Sequence, residues 1–449
     1  MRQTNKASLA VAAIAGLGLV ISPAVFAQDA QHQPAKHHAK HHAKHHHHHQ
    51  AKQMQTVSAK AEDAMEGESA FLIDSKGGIK VFDTKHHGYS FEVSGRLHID
   101  EVMFGGRGPD RSGYPSGANI RRADLAFKGT LGCGWGYVTS LEFGYGGSSS
   151  FGDTYLHYTG FENLDIVVGQ FSAPVSMSAN TSSNNLMMME RPLEVSALTA
   201  YNNLGIQLGT SGKLFTVRAA VFSAGDNESV DTAITTGSDH LGFAGRVTFA
   251  PIHTDEYAVH FGASGLYQDM HKTNNSLSFS TRPEMRARVT PVISTNITAN
   301  TARDYVLGGA ELGLGWGPVT FESEYMHVHV DARSGTVKDY GFRGYHTTLG
   351  YMLTGESRAY NFKKGTFEGV KPDSSMGAVE VVGHYSYVNL DDNNSGASLE
   401  HNVGLGVNWF MTENVRLMAN YIHADIDNHA AATNDRKLDI VGMRLQASF

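Results

Sequence analysis

The chain has 449 residues, with 36 basic against 44 acidic side chains, 49 glycines, 11 prolines, 22 phenylalanines, 18 tyrosines and one cysteine. A net charge of −8 argues against nucleic-acid binding, which needs a basic face toward phosphate, and a lone cysteine excludes an internal disulfide, a CxxC redox pair and a zinc ribbon. Abundant glycine and aromatics with little proline suit many short strands and turns rather than helices.

Residues 1–27 read as a secretory signal peptide. Arg2 and Lys6 precede the apolar run Leu9 to Ile21, and Val25 and Ala27 suit cleavage after Ala27. That run is too short to span the hydrocarbon as a helix, and no later run is long enough, so the mature chain is expected to cross a membrane only as a barrel. Residues 28–70 form a low-complexity extension in which ten of the eighteen positions from His32 to His49 are histidine. Such a segment cannot build a core. Neutral imidazoles at His37, His38, His41, His42, His45, His46, His47, His48 and His49 are candidate ligands for a transition metal, against the plainer reading of a solvated tether.

From residue 71 onward the texture becomes alternation broken by turn residues. Sixteen strands are expected, over 89–104, 120–129, 135–145, 152–160, 164–171, 204–210, 213–223, 240–250, 256–267, 304–314, 317–330, 341–355, 377–388, 398–410, 413–425 and 437–449. An even count with alternating short and long connections predicts an all-β fold, a transmembrane antiparallel barrel with short periplasmic turns and long outer loops. One connection, 356–376, breaks the alternation by being long on the periplasmic side. The final strand puts Val441, Met443, Leu445, Ala447 and Phe449 on one face and Gly442, Arg444, Gln446 and Ser448 on the other. Ending on an aromatic residue matches what the barrel-insertion machinery reads, and this strand is expected to seal against Phe91, Val93 and Leu97.

The polar faces of the strands then list the lumen. They carry Glu92, Arg96, Asp100, Arg122, Asp124, Lys128, Glu142, Arg218, Arg246, Glu322, Glu324, Glu380, Arg416 and Arg444. Charges of both signs in such number predict a wet channel rather than a packed core, although any one of them is more simply a salt-bridged wall position.

Specific stretches point further. IRRADLAFKG (120–129), DIVVGQFSAPVSM (165–177), MMMERP (187–192), GYHTTLGYMLTGESRAYNFKKGTFEGVKP (344–372), GAVEVVGHYSYVNL (377–390) and MTENVRLMANYIHADI (411–426) resemble the phosphate-selective porins O and P. The resemblance implies a sixteen-stranded barrel, a homotrimer, and a third outer loop, here 172–203, folded inward as a constriction. It also implies that Arg121 and Arg122 carry the family's paired arginines, of which alternation favours Arg122 for the lumen.

The constriction segment holds one basic residue, Arg191, against Glu190 and Glu194. A desolvated oxyanion needs a denser set of charge-assisted donors, so at most weak anion preference is expected. Arg282, Arg286 and Arg288, together in the long loop 268–303, are expected at the mouth of the pore, to attract anions, to bind lipopolysaccharide phosphates or to contact a neighbouring subunit. The expected function is an outer-membrane porin passing small solutes and inorganic anions, with outer-membrane lipid and lipopolysaccharide as surroundings and no cofactor. A surface adhesin on a barrel platform, and a barrel hydrolase, are the alternatives. The second would need a nucleophile beside a histidine such as His157, His260, His327, His329 or His384, and no such motif accompanies them.

Overall fold

The computed structural model describes residues 70–74, 78–83, 88–107, 114–143, 149–199, 202–224, 241–270, 277–286, 291–295, 297–298, 301–333, 338–392, 398–428 and 436–449. The signal sequence and the His-rich segment, with its candidate metal ligands, lie outside the described residues. So does Arg288.

Strands β1 (Ala70–Asp74) and β2 (Gly78–Asp83) form a hairpin ahead of the barrel. The wall begins with β3 (Tyr89–Arg107), β4 (Gly117–Gly132), β5 (Trp135–Phe143), β6 (Ser149–Phe161) and β7 (Leu164–Phe171). It continues with β8 (Asn203–Ser211), β9 (Phe215–Ala224), β10 (Leu241–His253) and β11 (Tyr257–Asp269). A small pair, β12 (Ser280–Thr281) and β13 (Ile293–Ser294), lies in the next loop, before β14 (Ala302–Trp316), β15 (Val319–Ala332) and β16 (Tyr340–Met352). A second small pair, β17 (Tyr360–Asn361) and β18 (Thr366–Phe367), precedes β19 (Ala378–Asn389), β20 (Ser398–Phe410), β21 (Val415–Asn428) and β22 (Arg436–Ser448). Leaving out the hairpin and the small pairs, sixteen antiparallel strands pair in chain order and close where β22 meets β3, from Lys437 opposite Arg107 to Ser448 opposite Arg96.

The alternation is inside out by the standard of a water-soluble protein. On β20, Val403, Leu405, Val407 and Trp409 are exposed while Asn402 and Asn408 are fully buried. An apolar band outside and amides inside is stable only where the outer face meets lipid.

Closure corrects one expectation. Phe449 donates to and accepts from the Gly95 backbone, both at 3.0 Å, and Leu97 lies opposite Ala447. Phe91 and Val93 pair instead with Val81 and Ile79 of β2. The reason is length: the 19-residue β3 runs past the end of β22, and the hairpin takes up the edge left over. A Cβ on Gly95 would stand 2.7 Å from the Phe449 ring and 2.9 Å from the Asp124 carbonyl oxygen. Gly95→Val should therefore loosen the seam, read as a smaller heat-resistant, fast-migrating fraction on gels; an unchanged fraction would show that the seam tolerates the side chain.

The lumen is not uniformly wet. The described residues of loops 172–202 and 270–301 fold in from the end that carries the long loops, and 353–377 folds in from the end that carries the short turns. Leu277, Phe279, Ile293 and Ile297 of the second loop pack with Tyr305, Leu307, Val328, Val330 and Phe342 of the wall. A loop entering a barrel must bury its own apolar face, so here the upper wall turns apolar inward.

Candidate functional site

Loop 172–202 is built around two short helices, α1 (Met177–Asn180) and α2 (Leu193–Leu198). Their first amides are captured by carboxylates from distant elements. Glu324 of β15 accepts from Met177 N at 3.0 Å and Ser178 N at 2.7 Å, and Glu284 of loop 270–301 accepts from Leu193 N at 2.9 Å. Between the helices the methionines of the MMMERP stretch lie along wall glycines: a Cβ on Gly350 would meet Met187, on Gly404 Met188, and on Gly442 both Met189 and Met285. The missing side chains make the groove in which the loop sits.

Several of the arginines on the lumen side hold these loops. Arg416 donates to the Leu186 carbonyl at 2.8 Å and stacks over Phe410 at 4.6 Å. Arg444 binds Asp100 through two 2.7 Å hydrogen bonds, reaches Glu190 at 2.7 Å, and donates to the Met189 carbonyl. Arg246 makes a fork with Glu311, from Nε at 2.9 Å and Nη2 at 2.7 Å, and donates to the carbonyls of Lys364 and Gly365 at 2.7 and 2.8 Å. Loop 353–377 is thereby pinned inside the barrel, helped by Arg358 on Glu380 at 2.7 Å and by Tyr360 Oη with His260 Nδ1 at 2.6 Å. Arg246, Arg358 and Arg444 stand buried because each is paired with a carboxylate and hydrogen-bonded, whereas Arg416 is held by loop carbonyls and the Phe410 ring without an ion pair of its own among the described residues. They face the lumen as alternation requires, yet loops cover them.

Among the described residues an open cavity of about 890 Å³ runs along β3 to β9. Its basic lining is Arg96, Arg121, Arg122, Arg191, Arg218, Arg282, Arg286 and Lys364, against the acidic Asp124, Glu142, Asp153, Asp165 and Glu190. Three of these basic groups are not in the wall or the constriction loop: Arg282 and Arg286 come from loop 270–301 and Lys364 from 353–377. The sequence reading left the first two at the mouth and did not use the third. A signal for this inward folding existed in the apolar residues of both loops, Leu277, Phe279, Ile293 and Phe367, which a solvated loop has no use for.

The paired arginines are both at the cavity. Opposite His98 and Ile99 the register slips by one: Arg122 faces His98, Ile120 faces Ile99, and Arg121 is the extra residue. This bulge cancels the alternation that would send neighbouring side chains to opposite faces. Arg121 then binds Glu190 with Nε at 2.8 Å and Nη2 at 3.0 Å, and Arg122 Nη1 stands 3.7 Å from the same carboxylate. Burial alone would raise the Glu190 carboxyl, but Arg121, Arg122, Arg444 and Arg286 hold it well below the usual carboxylate range. Burial pushes the Glu194 carboxyl well above that range, and its Oε1 lies 2.5 Å from His346 Nδ1. Of the constriction-loop acids, only Glu190 is held ionised at the cavity.

The other sequence candidates are placed as follows. Arg96 pairs with Asp124 and reaches Ser183 at 2.8 Å. Arg191 donates to the carbonyls of Ser178 and Thr181 at 3.0 and 2.7 Å, Arg218 to the Lys363 carbonyl at 3.0 Å. Lys128 pairs with Glu92 at 2.8 Å and is not part of the cavity lining. At the rim, His329, Asp331 and Asp339 bring one ligand atom each within 4.8 Å of one another, His329 and Asp339 exposed and the half-buried Asp331 already paired to Arg303 at 2.9 Å. Thr348, His384 and Glu284 form a buried chain at 2.8 and 3.2 Å, with none of the three at the cavity.

The sequence profile of the family described as phosphate-selective porin O and P matches residues 91–449. Porin O of Pseudomonas aeruginosa is 28% identical over 410 residues, covering 84% of this chain and 92% of that protein. An uncharacterized protein of Caulobacter vibrioides is 24% identical over 379 residues, covering 80% of this chain and 74% of that one. Among solved structures, an anion-selective porin from Comamonas acidovorans superposes with a TM-score of 0.52 at 13% identity, over 80% of this chain and 100% of that one.

Proposed function

Since the chain belongs to the phosphate-selective porin O and P family and forms an outer-membrane channel, we propose that the solutes it favours are small anions, phosphate among them, diffusing passively down their gradients. The observation that carries this reading is the excess of basic over acidic side chains lining the cavity, with Arg121 and Arg122 side by side. A water-filled pore whose walls carry net positive charge raises the local concentration of anions and lowers that of cations. The preference is weak, because Asp124 and Glu190 neutralise Arg96 and Arg121 at short range and Glu142, Asp153 and Asp165 lie in the same lining.

The test is the reversal potential of the purified channel in a planar bilayer under a potassium chloride gradient. Chloride should carry a few times more current than potassium. A potential on the cation side, or one near the ideal value for chloride alone, would each overturn the reading. The proposal includes a homotrimer, supported by the adjacent short strands β7 and β8, of 8 and 9 residues, where a second copy would pack; cross-linking of the channel in detergent tests it. A barrel hydrolase is not favoured: the buried chain from Thr348 through His384 to Glu284 is walled off from the cavity.

A further inference from the structure

The Glu190 carboxylate sits where guanidiniums from separate parts of the chain converge. Three separate elements converge on it: β4 supplies Arg121 and Arg122, β22 supplies Arg444, and loop 270–301 supplies Arg286. Its Oε1 accepts from Arg121 Nε at 2.8 Å and from Arg444 Nη2 at 2.7 Å, while Oε2 accepts from Arg121 Nη2 at 3.0 Å. Arg444 is also committed to Asp100 behind it. Arg122 Nη1 is buried and makes no hydrogen bond, 3.7 Å from Glu190. Arg121, Arg122, Arg286 and Glu190 all line the cavity, so the cluster borders the open space through which the proposed anion passage would run.

A guanidinium fork binds carboxylate, phosphate and similar oxyanions in the same two-point geometry. The loop carboxylate therefore uses the donors that a free oxyanion would use. We infer that Glu190 is a tethered competitor, which occupies the arginine cluster and sets how strongly an oxyanion in transit is held there. Conduction gains from this arrangement, since a solute that meets an already satisfied cluster exchanges one set of charge-assisted bonds for another and leaves again, whereas an empty cluster would trap it. The inference rests on the anion passage proposed above.

The experiment uses the full-length channel in planar bilayers, with chloride carrying the current and inorganic phosphate titrated as the blocker. Glu190→Gln keeps the side-chain shape and removes the charge. Its half-blocking phosphate concentration should fall at least about tenfold below that of the unaltered channel, as expected for vacating a desolvated charge-assisted site. In channels that also carry Arg121→Ala and Arg122→Ala, the same substitution should shift the half-block much less, because the donors have gone. An unshifted half-block in a conducting Glu190→Gln channel overturns the inference, and so does an equal shift with and without the two arginines. If Glu190→Gln fails to assemble, Glu190→Asp replaces it, drawing the carboxylate back by one methylene; tighter block than in the unaltered channel supports the competitor, and equal block overturns it. The reversal potential of the unaltered channel separates this from its premise: anion preference with unshifted block removes the competitor alone, and cation preference removes the anion channel.

Discussion

Replacing Arg121 and Arg122 together by glutamate should carry the reversal potential in a potassium chloride gradient across zero, from a mild chloride preference to a potassium preference. The two guanidiniums are the part of the basic lining that the β4 bulge concentrates at one height, and the exchange makes the acidic side chains of the cavity outnumber the basic ones. The new carboxylates would also stand beside Glu190, whose partner at 2.8 and 3.0 Å has gone. Like charges so close cannot all stay ionised in a narrow site, so the potassium preference should deepen as pH rises from about 5 toward 8. Arg122→Glu alone should shift the potential in the same direction by less. An unchanged potential in the double variant would take both residues out of the conduction path.

The second large effect is on assembly. Arg444→Met should lower the temperature at which the folded barrel loses its fast gel migration, and should raise single-channel conductance and its noise. The Arg444 side chain is 0% exposed and binds Asp100, itself 1% exposed, together with Glu190 and the Met189 carbonyl. Removing one partner of a buried pair leaves the other charge without compensation, which costs about 3–5 kcal/mol. The same side chain ties loop 172–202 to the closing strand, so its loss frees the middle of that loop and widens the opening. Pairing Arg444→Met with Asp100→Leu should recover part of the thermal loss, because no lone charge is left buried, but not the loop anchor or the original conductance. Equal melting and equal conductance in the single variant would show that the loop is held without the Arg444 bonds.

Three features of this protein differ in how far they could be read ahead. The wall could be read almost throughout: every one of the sixteen expected strands is present, with ends displaced by a few residues, because each strand residue faces lipid or lumen according to its immediate neighbours. The paired arginines could be read only halfway. The motif marked them, but strict alternation allows one of two neighbours inside, and the bulge that admits both depends on how β4 registers against His98 and Ile99 of the strand before it. The division of the lumen into a filled and an open part could not be read from the strands. Arg246, Arg416 and Arg444 have the same polar-face signature as Arg96 and Arg122, yet the first three are covered by loops while the other two line the cavity.

By itself, then, the amino-acid order determined the strand count, the side of the wall on which residues lie wherever alternation is unbroken, and the family resemblance, all of which rest on short-range pattern. The tertiary structure alone decided which charges a solute can meet. That outcome depends on bonds such as Met177 to Glu324, 147 positions apart, and Arg444 to Glu190, 254 apart. A loop folds inward only when carboxylates, glycine gaps and apolar patches on distant strands come together to receive it. No local periodicity records that meeting, because the free energy lies in the closed barrel rather than in any one segment.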